Sequence, residues 1–437
     1  MVIEYLSQPS LFRSGLLERK YGALYFEKTA LVELASRFGT PLYVLSEGRI
    51  RDNYRRLNKA FHERYDKTRI YYAAKANTNL SVLMILRDEG SFLDVLSPGE
   101  IHLALRSGVD PERILYTGTS VSEEELDYAI KSHVTINVDS LHQMEQLLGK
   151  TKPSIVSVRV NPEVGAGHHE HCVTGLRDSK FGLLKKDAHQ AYKMAKDAGV
   201  ERFGIQMHIG SGILDPAPYF EAIENLLTIA KEVHDNLGVN FEFVDIGGGF
   251  GVPYKPEEQE IDLENTSEHI VSLFKNHVSE YGLGEPALGI EPGRYIVCDA
   301  GILLTRVNSV KKTPFKEFVG VDAGFNTLIR PAMYGSYHEI ILANASRPGT
   351  ERACDIVGPL CESGDSFGRD RKLEETRSGD ILAVLNAGAY GFVMSSQYNS
   401  RPRSAEVLVR DGRCAVIRER EQLETLTAGQ KIAEWLK

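Results

Sequence analysis

The stretch YYAAKAN, Tyr71 to Asn77, decides how the chain is read, because in it a lysine stands where a short apolar strand runs out into a loop. Ile70 to Ala74 form an apolar run of β-forming residues. Asn77, Thr78 and Asn79 then supply turn and capping chemistry before a helical pattern begins at Leu80. Lys75 therefore has an apolar wall on one side and polar loop atoms on the other. Partial desolvation of an ammonium favours the free amine, a nucleophile toward a carbonyl or aldehyde.

Outward from this stretch a rhythm sets in at about residue 46, a helical pattern followed by a short β-rich run. Strands are predicted near 69–75, 92–97, 114–118, 135–139, 155–161, 203–208, 242–247 and 287–291. In DPAPYFEAIENLLTIAKEVHDNLG, Phe220, Ile223, Leu227, Ala230 and Val233 recur at helical spacing, with Asp215 to cap the start and Gly238 the end. A second helix is predicted over Leu263 to Tyr281, with Ile270, Leu273, Phe274 and Val278 on one face. Eight strand–helix pairs over roughly 250 residues are the count and length of a (β/α)8 TIM barrel, which places the fold in the α/β class. A doubly wound sheet would carry a glycine-rich fingerprint after its first strand, and none stands there.

The rhythm stops after Arg294. Short β-rich runs follow, LLTRVNSV, FVGVDA, ACDIVG, DILAVLN and AEVLVRDGRCAVI, the last with an Asp411-Gly412 hairpin turn. The expected organisation is a barrel over 46–300 and a mostly β second domain made of 1–45 and 301–437.

Composition narrows the function. With 437 residues and a formal charge of −9, the chain lacks the concentrated basic surface that nucleic acid requires. No apolar run has membrane-spanning length and no signal-peptide pattern is seen at the start, so no membrane partner and a cytoplasmic location are expected. Five cysteines, widely spaced and without a CxxC pair, suit reduced thiols.

Active-site groups in such a barrel sit where the strands end. The first strand ends in Lys75, the second carries Asp94, and the fifth carries Arg159 and Asn161. The sixth brings His208, Gly210 and Ser211, the seventh Gly247, Gly248 and Gly249, and the eighth Glu291, Pro292, Gly293 and Arg294. Successive glycines let backbone N–H groups approach a phosphate, and Arg294 and Ser211 could add hydrogen bonds. A phosphate held there, with an amine and a carboxylate across the same rim, points to pyridoxal 5'-phosphate. Lys75 would take its aldehyde, Glu291 would keep its pyridine nitrogen protonated, and His208 would flank the ring.

YYAAKAN, HIGSGI, DIGGGFG, EPGR, CESGD and GAYGFVMSSQYNSRPR, in that order over residues 40 to 420, resemble the diaminopimelate decarboxylases. These belong to the alanine-racemase-like, fold-type III pyridoxal-phosphate decarboxylases. The resemblance implies decarboxylation of meso-2,6-diaminopimelate to L-lysine; the alternative is a same-fold decarboxylase acting on ornithine, lysine, carboxynorspermidine or a carrier-bound amino acid. It implies Lys75 as cofactor lysine, His208 against the ring, Glu291 at the ring nitrogen, and Ser211, Gly248, Gly249, Gly293, Arg294 and Tyr390 around the phosphate. It further implies Arg294, Arg330, Tyr334, Glu362 and Tyr390 near the substrate, and Cys361 as the proton donor once CO2 leaves. CESGD would come from the partner subunit of a homodimer with shared sites.

Two departures stand out. Gly212 occupies the place where such enzymes usually carry glutamine after HIGS, which predicts a looser loop. His168, His169, His171 and Cys172 form a cluster whose spacing matches no zinc site, so a mobile loop and no metal are expected.

Overall fold

In the computed structural model, which describes residues 16–20, 22–167, 174–344 and 351–437, eight parallel strands close into a barrel. They are Thr68–Ala73, Phe92–Val95, Ile114–Tyr116, Thr135–Val138, Ile155–Arg159, Arg202–Gln206, Phe241–Asp245 and Ala287–Ile290, neighbours in chain order, with the last paired to the first. Each expected strand is present, and the fold class is the one expected. The barrel belongs to a compact unit of residues 50–253 and 259–297; a second unit comprises 1–49, 254–258 and 298–437.

Side chains alternate along a strand, so inward-facing positions can be followed up the barrel two residues at a time. The lowest layer is apolar: Tyr71, Leu115, Phe243 and Ala287 cluster with Phe92 and Ile155. Glycines make room for it. A Cβ on Gly204 would lie 2.2 Å from the Phe243 ring, and one on Gly289 would lie 2.8 Å from the Asp245 carboxyl carbon. Two residues higher on the same parity stand Asp94, Asn137, Gln206 and Asp245, all with almost no exposure. Lys75, His208 and Glu291 crown the C-terminal ends. The opposite end holds a cavity of about 560 Å³ lined by Arg69, Phe92, Arg113, Lys152 and Arg202 among others, remote from these groups.

The helices obey local signals. Ala217–Leu237 begins behind Pro216, which takes the N-cap position expected for Asp215; Asp215, one residue earlier, accepts from the Ala217 N–H at 3.1 Å. It ends at Gly238, whose φ of 63° is left-handed. Leu263–Glu280 buries Ile270, Phe274 and Val278, with Leu273 at the margin.

In the second unit, the long strand Gly301–Lys312 is central. It pairs with Glu317–Val321, with Ile381–Val384 and with Leu42–Ser46; the last also lies parallel to Ala405–Arg410. Asp411 and Gly412, with φ of 49° and 78°, turn the hairpin into Arg413–Arg418. Three strands of the nine-stranded sheet escaped the sequence reading. Leu42–Ser46 is buried throughout and looks like an isolated apolar run. Ile340–Leu342 is only 3 residues long, and Ser366–Leu373 is mostly charged along an exposed face.

Candidate active site

Lys75 sits in a single turn of 3-10 helix, Ala74–Ala76, directly after the first strand. The local sequence builds that platform. Asn77 Oδ1 accepts from Asn79 N–H, Asn79 Oδ1 accepts from Ser81 N–H to cap the next helix, and the Tyr72 hydroxyl donates to the Asn77 carbonyl, each at 3.0 Å. The Lys75 amine points to Asp94, donating to Oδ2 at 2.9 Å. Asp94 is wholly buried, and its other oxygen accepts from the Thr117 hydroxyl. A buried carboxylate without its cation costs about 3–5 kcal/mol, so Asp94 holds the amine in place.

Three strand-end loops interlock around this amine. Ala73 N–H donates to the Pro292 carbonyl at 3.1 Å, and Glu291 N–H donates to the Gly247 carbonyl at 2.9 Å. A Cβ on Gly248 would fall 1.8 Å from the Glu291 carbonyl oxygen, and one on Gly249 would fall 2.5 Å from the Gly210 oxygen. The glycine run is thus required by backbone packing as well as suited to an anion. Gly293 packs against Ala73 and Ala76, and Arg294 Nη2 donates to Ser211 Oγ at 3.2 Å. Gly212 does not loosen its loop: its φ of 76° is glycine territory, and the following Ile213 exchanges backbone hydrogen bonds of 2.9 Å with Gly249 and Gly251.

His208 Nδ1 accepts from the Gly248 N–H at 3.1 Å. A backbone N–H can only donate, so the ring proton is on Nε2 and the imidazole is neutral. Burial holds its pKa well below the usual histidine range, with Lys75 and Arg159 adding to the effect. The 4.0 Å approach of Nδ1 to Glu291 Oε2 is therefore no ion pair. Arg159 is buried with its guanidinium 4.6 Å over the Phe181 ring; burial lowers its pKa, while Asp139, Glu291 and Asp94 oppose that.

Glu291 is 3 % exposed. Burial raises its pKa well above the carboxylate range, and Asp94 and Asp245 push further the same way. Asp245 is raised to about 7, by burial first and then by Asp94. Asp245, Gln206 and Asn137 were not among the expected site residues. Their signal was available as parity: Asp245 lies two residues beyond Phe243 and Gln206 two before His208, polar groups at inward positions of buried strands.

The remaining expected residues lie in the second unit. Arg330 is 2 % exposed and ringed by tyrosines, its guanidinium carbon 5.5, 5.7 and 5.9 Å from the rings of Tyr254, Tyr334 and Tyr390. It donates to Ser336 Oγ at 3.1 Å, and among the described residues no carboxylate lies within ion-pair distance of it. Tyr390 has a φ of 56°, a strained conformation for a bulky residue. Cys361 and Glu362 are exposed. Asn399 Nδ2 donates to Cys361 Sγ at 3.3 Å, Tyr398 donates to Glu362, and buried Asp365 anchors the segment by accepting from Leu360 and Phe325 N–H groups at 2.7 Å.

The donor set at the barrel mouth fits pyridoxal phosphate. An amine stands for the aldehyde, a buried carboxylate for the ring nitrogen, and Ser211, Arg294 and the glycine loops for the phosphate. His168 to Cys172 fall outside the described residues, and with them the expected mobile loop.

Known proteins resemble the chain over nearly its whole length. Residues 47–298 match the family model described as pyridoxal-dependent decarboxylase, pyridoxal binding domain. Diaminopimelate decarboxylase of Methanothermobacter thermautotrophicus is 56% identical over 92% of this chain and 94% of that one. The enzyme of that name from Archaeoglobus fulgidus is 43% identical over 95% and 98%. The crystal structure of diaminopimelate decarboxylase from M. jannaschii in complex with L-lysine superposes with a TM-score of 0.90 at 35% identity, covering 96% of this chain and 99% of that one.

Proposed function

This chain belongs to the diaminopimelate decarboxylases, within the pyridoxal-dependent decarboxylase family, and from that premise we propose which of its residues carry the reaction. It is a carboxy-lyase that uses pyridoxal 5'-phosphate to convert meso-2,6-diaminopimelate to L-lysine and CO2. When bound, the cofactor supplies an aldehyde that links to the substrate amine and a protonated ring that takes up the electron pair left by the departing carboxylate.

The observation that carries the assignment is the Lys75 amine held 2.9 Å from a buried Asp94 at the barrel mouth. Lys75 would hold the cofactor by its aldehyde, and Asp94 orients the Lys75 amine for that role. His208, neutral, would flank the ring, and Glu291 would pair with the ring nitrogen and keep its proton there. Ser211, Gly248, Gly249, Gly293, Arg294 and Tyr390 bind the phosphate, and Arg159 completes the wall.

At the substrate's far end, Arg330 binds the distal carboxylate and Glu362 the distal ammonium. A buried guanidinium without a carboxylate neighbour among the described residues supports this role, since such a cation is costly unless an anion joins it. Cys361 gives its thiol proton to the carbon that lost CO2, forming the C–H bond, and is reprotonated by water. The exposure of Cys361 and Glu362 supports their delivery to the barrel mouth of a second subunit, in a homodimer with shared sites. Cys298, Cys354, Cys361 and Cys414, none of them in a disulfide, support a cytoplasmic location. Among the described residues no helix is long and apolar enough to cross a membrane.

The test is CO2 release from meso-2,6-diaminopimelate, L-lysine and L-ornithine in parallel. Release from the first alone is expected, and Arg330→Gln should cost it about 100-fold in kcat/KM, the size of a lost charge-assisted pair. A protein active on ornithine or lysine but not on diaminopimelate would contradict the assignment.

A further inference from the structure

Below the mouth, three side chains from three strands form a line across the barrel interior. Asn137, on the fourth strand, donates from Nδ2 to Gln206 Oε1 at 3.1 Å. Gln206, on the sixth, donates from Nε2 to Glu291 Oε1 at 3.0 Å, just past the eighth. All three are buried.

The direction of this line is set by charge. An ionised carboxylate can only accept, so the group facing Glu291 has to be the NH2 end of Gln206. That turns the Gln206 carbonyl toward Asn137, which has to present its own NH2. A protonated Glu291 would lift the constraint and let both amides turn over. Asn137 and Gln206 therefore favour the charged form of Glu291 specifically.

Glu291 needs that help. The groups facing it are Asp94 and Asp245, which oppose its charge, Lys75 and Arg159, which favour it, and His208. Lys75 is already given to Asp94, and His208 presents its lone pair at Nδ1 because Gly248 donates there. Asp245 is itself buried beside Glu291, so two carboxyls compete for charge in the same space.

We propose that Gln206, oriented by Asn137, is a positioning residue that keeps the Glu291 carboxylate ionised and fixed in one rotamer, so that the proton it shares with the cofactor resides on the ring nitrogen. The proposal rests on the assignment of Glu291 to that nitrogen. It adds that the electron-accepting strength of the ring is tuned by a side chain that touches Glu291 and not the ring.

The test is the 15N resonance of holoenzyme loaded with ring-15N-labelled pyridoxal 5'-phosphate, which separates protonated from unprotonated ring nitrogen. Wild type should give the protonated position. Gln206→Met keeps the shape and removes the donor; its signal should move toward the unprotonated position and kcat should fall about tenfold, the equivalent of one pH unit, with KM and apo melting temperature little changed. Gln206→Glu can donate only when protonated, so its signal should approach wild type in acid and depart from it as pH rises. An unchanged signal in folded Gln206→Met overturns the proposal. Should that variant not fold, a pH-independent, wild-type signal in Gln206→Glu overturns it equally. Glu291→Gln separates the two levels: if it moves the signal and Gln206→Met does not, the relay alone falls, and if Glu291→Gln also leaves the signal in place, the assignment of Glu291 falls with it.

Discussion

Asp245 and His208 carry pKa shifts of opposite kind, and each gives the cofactor-free protein a pH signature. Asp245 titrates near 3.8 when unfolded and is raised to about 7 in the fold. Its stability contribution is thus fully present below about pH 4 and is lost as pH rises toward 7. Asp245→Asn keeps the acceptor for the Gly247 N–H, which Asp245 Oδ1 receives at 2.9 Å. The gain in unfolding free energy of this variant over wild type, measured by denaturant titration without cofactor, should be near zero at about pH 4 and reach its full size, on the order of a few kcal/mol, above about pH 7. A pH-independent gain would contradict the crowding of carboxyls around Glu291. His208 is shifted down, so its contribution is present above about pH 6.5 and lost on acidification. In the same register, Cys361→Ala should lower turnover at least 100-fold while cofactor affinity stays at the wild-type value, measured by absorbance titration. The charged rim residues were legible because each is a lysine, histidine or acid at a strand end. Asp245, Gln206 and Asn137 showed in the sequence only as polar groups at inward parity, and their roles come from facing one another across a closed barrel.

At the scale of elements, glycines divide into those that packing demands and those it does not. Gly248 would drive a Cβ to 1.8 Å from a backbone oxygen, which no rotamer can relieve. Gly248→Ala should destabilise by roughly 3 kcal/mol or more and abolish cofactor retention on gel filtration. Gly149, inside the helix Leu141–Lys150, has nothing within 4 Å of its absent Cβ. Gly149→Ala should raise stability by about 0.5–1 kcal/mol in denaturant titration, through helix propensity. If both behaved alike, the interlocking of the seventh and eighth loops would be wrong. The barrel strands were readable because each is a buried apolar run between helices. Leu42–Ser46 and Ser366–Leu373 were harder to read for different reasons: Leu42–Ser46 finds its neighbours about 260 and 360 residues later, whereas Ser366–Leu373 pairs with the nearby Arg352–Val357 but carries too many charges to look like a strand.

For the molecule as a whole, the proposal draws the residues of one reaction from two compact units. Lys75 belongs to the barrel, whereas Cys361 and Arg330 belong to the mostly β unit. Mixing inactive Lys75→Ala with inactive Cys361→Ala, followed by verified subunit exchange, should restore partial activity, because some mixed dimers then hold one intact site. No recovery would count against shared sites. Beneath this lies the claim that a single amine in the whole chain takes the cofactor. Borohydride reduction of the holoprotein, then peptide mapping of the full sequence, tests it directly. A reduced pyridoxyl group on Lys75 alone is the predicted result; attachment to another lysine, with Lys75 unmodified, would contradict the account.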